Sequence, residues 1–87
     1  MNQSILFPDL QHWDDTRQSV QFVAQAQGMN IHCYISTAKL AELSGAAIQN
    51  EGEAMAAFDE LRFDLEDSAE ALIEAEAFDE HGAIQLG

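Results

Sequence analysis

The stretch Asn30-Ile-His-Cys-Tyr-Ile-Ser36 sets His32 beside Cys33, the one cysteine of the chain. Imidazole and thiolate are favoured zinc ligands and form nucleophile–base pairs. The surrounding pattern decides against a joint role. Ile31, Cys33 and Ile35 alternate with His32, Tyr34 and Ser36, which is the period of a half-buried strand. Neighbours on a strand point to opposite faces, so His32 and Cys33 share neither a metal nor a proton. In phase with two isoleucines, Cys33 reads as a buried thiol behaving as a small hydrophobe. It has no basic neighbour to lower its pKa.

Three other groupings hold candidate chemistry. His12-Trp13-Asp14-Asp15 reads as a turn in which an aspartate makes an Asx-type bond and Trp13 lids the core. Arg17 is the only base in the strand half, so Trp13, Arg17 and His32 are the candidate pocket for an anionic metabolite, placed between sheet and helices. His81, followed by Gly82, reads as a cationic cap at a helix end. The largest grouping is acidic: residues 51–80 carry twelve acids and one base, Arg62. Glu66, Glu70 and Glu74 recur every fourth residue and line one helical face, where stacked like charges cost a few tenths of a kcal/mol per pair. With Asp59 and Arg62 they form the candidate surface for a basic protein partner, the alternative being a solvated face. No phosphate loop, nucleophile elbow, H-E-x-x-H, C-x-x-C or calcium loop is present. No catalytic, cofactor-binding or metal-ligating residue is assigned, and no enzyme is expected.

These residues need elements to hold them. Residues 4–8 predict a first strand ended by Pro8, which cannot donate to a ladder. Residues 9–18 are polar and turn-rich. Residues 19–27 alternate Val20, Phe22, Ala24 and Ala26 against Gln21, Gln25 and Gln27, a second strand. Gly28-Met29 then predicts a type II′ hairpin into the third strand, 30–36. Ser36 or Thr37 caps a helix of about two turns that stops at Gly45. Asn50 and Glu53 form a capping-box pattern. Behind it Ala54, Phe58, Leu61, Leu65, Ala69 and Leu72 make one apolar stripe, widened by Met55, Phe63 and Ile73. The stripe predicts a helix over 51–78, with Gly82 as the stop, or a break near Asp67-Ser68. Such a helix is roughly 40 Å long and overhangs its sheet. An overhanging apolar stripe seeks a partner, so a homodimer is expected. Gly82–Gly87 predicts a short closing strand.

The totals set the bounds. Eighty-seven residues with a 47% apolar fraction make one folded domain, 1–87, with a modest core. A single cysteine forms no internal disulfide. The opening residues lack a basic region and an apolar run, and no stretch reaches ~18 apolar residues, so a cytoplasmic protein without a membrane segment is expected. Sixteen acids against three bases give a net charge of −13. That charge repels phosphate backbones and anionic bilayers, which disfavours direct nucleic-acid or membrane binding. The fold class expected is α+β: a small antiparallel sheet of three N-terminal strands plus a short C-terminal strand, packed against one short and one long helix.

The order "MNQSILFPDLQHWDD", "R..V.F", "GM...C.IS", "F..LR.DLEDSAEALI" and "GAIQL" resembles the YrdB-like proteins of proteobacteria, a family of small proteins with a domain of unknown function. The resemblance covers nearly the whole chain. It implies a small cytoplasmic α+β fold with strands first and helices after. Genes of the family often lie near shikimate dehydrogenase, which implies a regulatory link to that pathway. It carries no catalytic residues onto this sequence. The leading expectation is therefore a non-catalytic protein-binding or regulatory module. The alternatives are a binder of an anionic metabolite and a transcription regulator acting through protein contacts.

Overall fold

A computed structural model of the chain describes residues 5–87. Its elements run β1 (Gln11–Asp14), β2 (Ser19–Ala26), β3 (Met29–Ser36), α1 (Thr37–Ser44), α2 (Glu51–Glu74) and β4 (Ile84–Gln85). The strands form one sheet in the order β1-β2-β3-β4. The first three are antiparallel, and β4 joins β3 in parallel. The α+β class and the two helices stand as expected, but the sheet is mixed. The chain crosses from β3 to β4 through both helices, a connection long enough to return in the same direction.

Both helices pack on one face of the sheet. Val20, Phe22, Ala24, Ile31, Cys33, Ile35 and Ile84 meet Leu40, Ala54, Phe58, Leu65, Ala69 and Ile73 in a single buried cluster. Phe22 is its centre, with ring centroids 6.3 Å from Phe7 and 5.2 Å from Phe58. Registry sets Trp13 opposite Val20 and Val20 opposite Ile35, so Trp13 belongs to this covered face. The other face carries His12, Gln21 and Tyr34 in one row and has no helix against it.

Several boundaries differ from the sequence expectation, each for a local reason. Ser4 of the expected first strand lies outside the described residues. Of the remainder, Leu6 makes only an isolated antiparallel bridge to Gln25. The first full strand is instead Gln11–Asp14, in the segment expected to be a turn. Leu6 and Gln11 lie on the same edge of β2, and Pro8 occupies the excursion between them, where its missing N–H breaks no ladder bond. The hairpin turn is Gln27-Gly28, since Ala26 pairs with Met29. Both residues have positive φ, 55° and 79°, which is a type I′ rather than a type II′ turn.

The helices start where their caps predict. Ser36 Oγ accepts from Lys39 N at 3.1 Å, and Asn50 Oδ1 accepts from Glu53 N at 2.8 Å. The Glu53 carboxylate reaches back to Gln49 N at 2.7 Å, one residue before the usual capping-box donor. α2 is unbroken at Asp67-Ser68 but ends at Glu74, before Gly82 is reached. Its stop is a Schellman motif: Ala77 N donates to Leu72 O and Glu76 N to Ile73 O, each at 2.9 Å. The left-handed residue of that motif is Glu76, at φ 57°, a position usually held by glycine. His81 therefore caps no helix.

At 1.5 Å per residue α2 is about 36 Å long, close to the 38 Å longest extent of the molecule. The sheet and its loops cover the stripe along most of that length, with Ala54, Phe58, Leu65, Ala69 and Ile73 all buried within the chain. Phe63 is not part of the stripe; it is 77% exposed on the outer side of α2.

Candidate functional site

Two places gather the residues singled out above, on opposite sides of the sheet. The first is a groove of about 490 Å³ where α2 meets the segment before β1, lined by Phe7, Asp9, Gln11, Asp59, Arg62, Phe63 and Glu66. Arg62 organises it. Its guanidinium meets Asp9 at 3.1 Å, Glu66 at 3.5 Å and Asp59 at 3.6 Å. It also lies 5.1 Å from the centre of the Phe58 ring. The Arg62 side chain is 20% exposed and the Glu66 side chain 17%, so this pair is half-buried structure rather than free surface. Gln11 sits in the same wall, its amide oxygen buried without a hydrogen-bond partner among the described residues.

Of the surface expected along α2, Asp59, Arg62 and Glu66 come together here. Glu70 is half-buried further along, and Glu74 is exposed at the far end of the helix. The three glutamates at fourfold spacing are not a uniform free face, because Arg62 engages the first of them. Four carboxylates surround Phe63, of which Glu60 and Asp67 are exposed and lie outside the Arg62 cluster. Asp59, Glu60, Glu66 and Asp67 stand four and three residues before it and three and four after it, the positions adjacent on a helix surface. The sequence pattern places Phe63 at the margin of the stripe, with Met55 and Ile73. The four carboxylates at those spacings were the signal that its side of the helix faces water.

The second place is on the uncovered sheet face. A cleft of about 250 Å³ is lined by Arg17, Asn30, His32, Tyr34, Asp79, His81, Gly82 and Ala83. Asn30, His32 and Tyr34 alternate along β3 and so share that face. Arg17 enters from the β1–β2 turn. Asp14 builds the turn: its Oδ1 accepts from Arg17 N at 3.1 Å and its Oδ2 from Arg17 Nη1 at 2.8 Å. The backbone bond first, and the side-chain bond next, hold the Asp14 carboxyl below its usual range. The same side-chain bond raises the Arg17 pKa. The guanidinium carbon lies 4.6 Å from the centre of the Tyr34 ring.

Asp79 shapes the opposite wall. Its Oδ2 accepts from the Gln85 amide at 2.9 Å, and its Oδ1 from Ala83 N at 2.9 Å and His81 N at 2.8 Å. These donors, Gln85 first, lower its pKa to about 2. The carboxylate thus folds the 79–83 turn and hands His81 and Gly82 to the cleft.

Of the expected pocket, Arg17 and His32 meet, and Trp13 does not join them. Trp13 packs toward the core and its Nε1 donates to Asp15 Oδ1 at 3.2 Å. The pocket lies on the open face, not between sheet and helices. Tyr34, two residues from His32 on the same strand face, was legible by alternation; His81 and Asp79 arrive only through the 79–83 turn. Cys33 is fully buried on the far side, and burial pushes its thiol up to about 12. No group of three or more His, Cys, Asp or Glu among the described residues is placed to hold a metal ion. No helix among them is long and apolar enough to cross a membrane.

Two helices on one face of a mixed four-stranded sheet, with clefts on both sides, define a small two-layer α+β domain. The chain belongs to the DUF1488 family, described as proteins of unknown function, whose model matches residues 5–86. It is 38% identical to the uncharacterized protein YrdB of Escherichia coli (strain K12) and 37% identical to that of Shigella flexneri. Both matches extend over 87 residues and cover 99% of each chain. A DUF1488 crystal structure from Shewanella loihica PV-4 superposes with a TM-score of 0.95 at 46% identity, covering 99% of this chain and 94% of the other. The resemblance read from the sequence is thereby shown, and with it the fold.

Proposed function

We propose that this chain is a non-catalytic binding module that takes a basic, amphipathic segment of a protein partner on the outer side of α2. The observation that carries this reading is Phe63: a phenyl ring 77% exposed, framed by Asp59, Glu60, Glu66 and Asp67, at the lip of a groove. An exposed aromatic group inside a ring of carboxylates matches a partner that offers an apolar side chain between lysines or arginines. The net charge of −13 speeds the approach of a basic partner and opposes self-association through the same face.

The test is affinity capture from a cell lysate at low salt, with mass spectrometry of the bound fraction. Wild type is compared with Phe63→Ser and with the triple reversal of Glu60, Asp64 and Asp67 to lysine; these side chains leave the Arg62 cluster intact. The reading requires a basic protein retained stoichiometrically by wild type, by neither variant, and released as salt rises. The same proteins on all three resins, or none on any, overturns it.

A further inference from the structure

The cleft on the uncovered face lies apart from that groove, and its chemistry is opposite. The chain carries only three lysines and arginines and three histidines. One arginine and two histidines of that small set, Arg17, His32 and His81, line this single cleft. We propose that it is a binding site for small organic monocarboxylates, with the Arg17 guanidinium as the anchoring group.

Arg17 is prepared for this role. A guanidinium has five N–H donors in a planar fork. The Nη1 side is held by Asp14 at 2.8 Å, and the plane rests against Tyr34. The Nε–Nη2 edge has no partner among the described residues, and that edge matches a carboxylate in a two-point contact. Ordering a long side chain before the ligand arrives reduces the entropy lost on binding. Tyr34, His32 and Asn30 supply further donors from one strand face. The Tyr34 hydroxyl makes no hydrogen bond among the described residues, which leaves it available beside the guanidinium.

The neighbouring acids set the ligand's charge. Asp14 already pairs with Arg17, and Asp79 is saturated by Gln85, His81 and Ala83. Glu80 lies beside His81, its Oε2 3.4 Å from the imidazole Nε2. The unshared Nε–Nη2 edge of Arg17 offers a single two-point contact, which matches one carboxylate group. A doubly charged phosphate would meet the repulsion of Asp14, Asp79 and Glu80 with no second permanent cation. The cleft volume, about 250 Å³, lies below the ~300–1,000 Å³ of pockets for drug-sized ligands, which suits a small acid.

The experiment is a ¹⁵N NMR titration of the whole chain at constant ionic strength with acetate, benzoate and, at pH 8, inorganic phosphate. Acetate and benzoate should shift the Arg17 Nε–H and the amides of His32, Tyr34, His81 and Ala83 along one saturating curve. Arg17→Gln should weaken that curve at least about tenfold, the loss of a charge-assisted two-point contact. Arg17→Lys keeps the charge and removes the fork, and should weaken it as well. Spectra that otherwise overlay wild type show that the variants fold; if Arg17→Gln does not, Arg17→Lys carries the comparison. Phosphate should give no saturating shift. Linear, unsaturated shifts with both acids, equal affinity in the lysine variant, or phosphate binding as tightly as benzoate each overturns the proposal.

Discussion

The guanidinium of Arg62 lies 3.1 Å from the carboxylate of Asp9, fifty-three residues away in the chain. This contact ties the segment before β1 to the middle of α2. It belongs to a network with Asp59 and Glu66 and a ring contact with Phe58, which makes it worth more than an isolated surface pair. Arg62→Met keeps the stem's packing and removes the charge, leaving the half-buried Glu66 without its cation. We expect a loss of about 1–2 kcal/mol in urea unfolding. A change within about 0.3 kcal/mol would show that the network is solvated and idle.

Glu76 holds the left-handed position of the Schellman motif that ends α2. A side chain there carries a steric cost that glycine avoids. Glu76→Gly should stabilise the chain by about 0.5–1 kcal/mol, after allowance for the extra freedom of glycine in the unfolded state. Thermal unfolding at neutral pH measures it. A lower midpoint would mean that the Glu76 side chain contributes more than its backbone costs.

That same residue explains part of what the sequence concealed. Glycine is the usual left-handed residue at a helix end, so the sequence points to Gly82 as the stop and to His81 as a cap, whereas α2 ends at Glu74 with Glu76 in the left-handed position. The caps at Ser36 and Asn50 were legible because short polar side chains at a helix start leave a local signature. The alternation in β2 and β3 was legible because one face of each is buried. Gln11–Asp14 was hidden because an edge strand with one face open needs few apolar residues. The direction of β4 is set by the long crossover, which no local pattern encodes. The cleft depends on a turn, 79–83, folded by one aspartate, and local spacing placed Arg17 and His32 in it without His81.

Asp79 makes that turn sensitive to acid. Its folded-state pKa, about 2, lies below the ~3.9 of a free aspartate. The stability it contributes is therefore complete above about pH 4 and is lost as pH falls through the folded value. The amide shifts of His81 and Ala83, whose N–H groups donate to Asp79, should titrate together with a midpoint near 2. A midpoint near 4 would mean that these bonds do not favour the ionised form. Asp79→Asn should flatten both curves.

Cys33 gives a measure of how tightly the sheet and helices close. Its side chain is fully buried, and its Sγ–H donates to the Ile31 carbonyl at 3.8 Å. Burial raises the thiol to about 12, so at pH 8 almost none is thiolate, the reactive form. Reaction with a disulfide reagent then requires the core to open. Labelling of the native chain at pH 8 should run at least about a hundredfold slower than in 8 M urea, the gap reporting the opening free energy. Core truncation at Phe58, whose ring meets Phe22 at 5.2 Å, should narrow that gap, because Phe58→Ala costs about 3–5 kcal/mol. Equal rates for native and unfolded wild type would show that Cys33 is reached without opening, and that the face shared with Ile31 and Ile35 is not closed in solution.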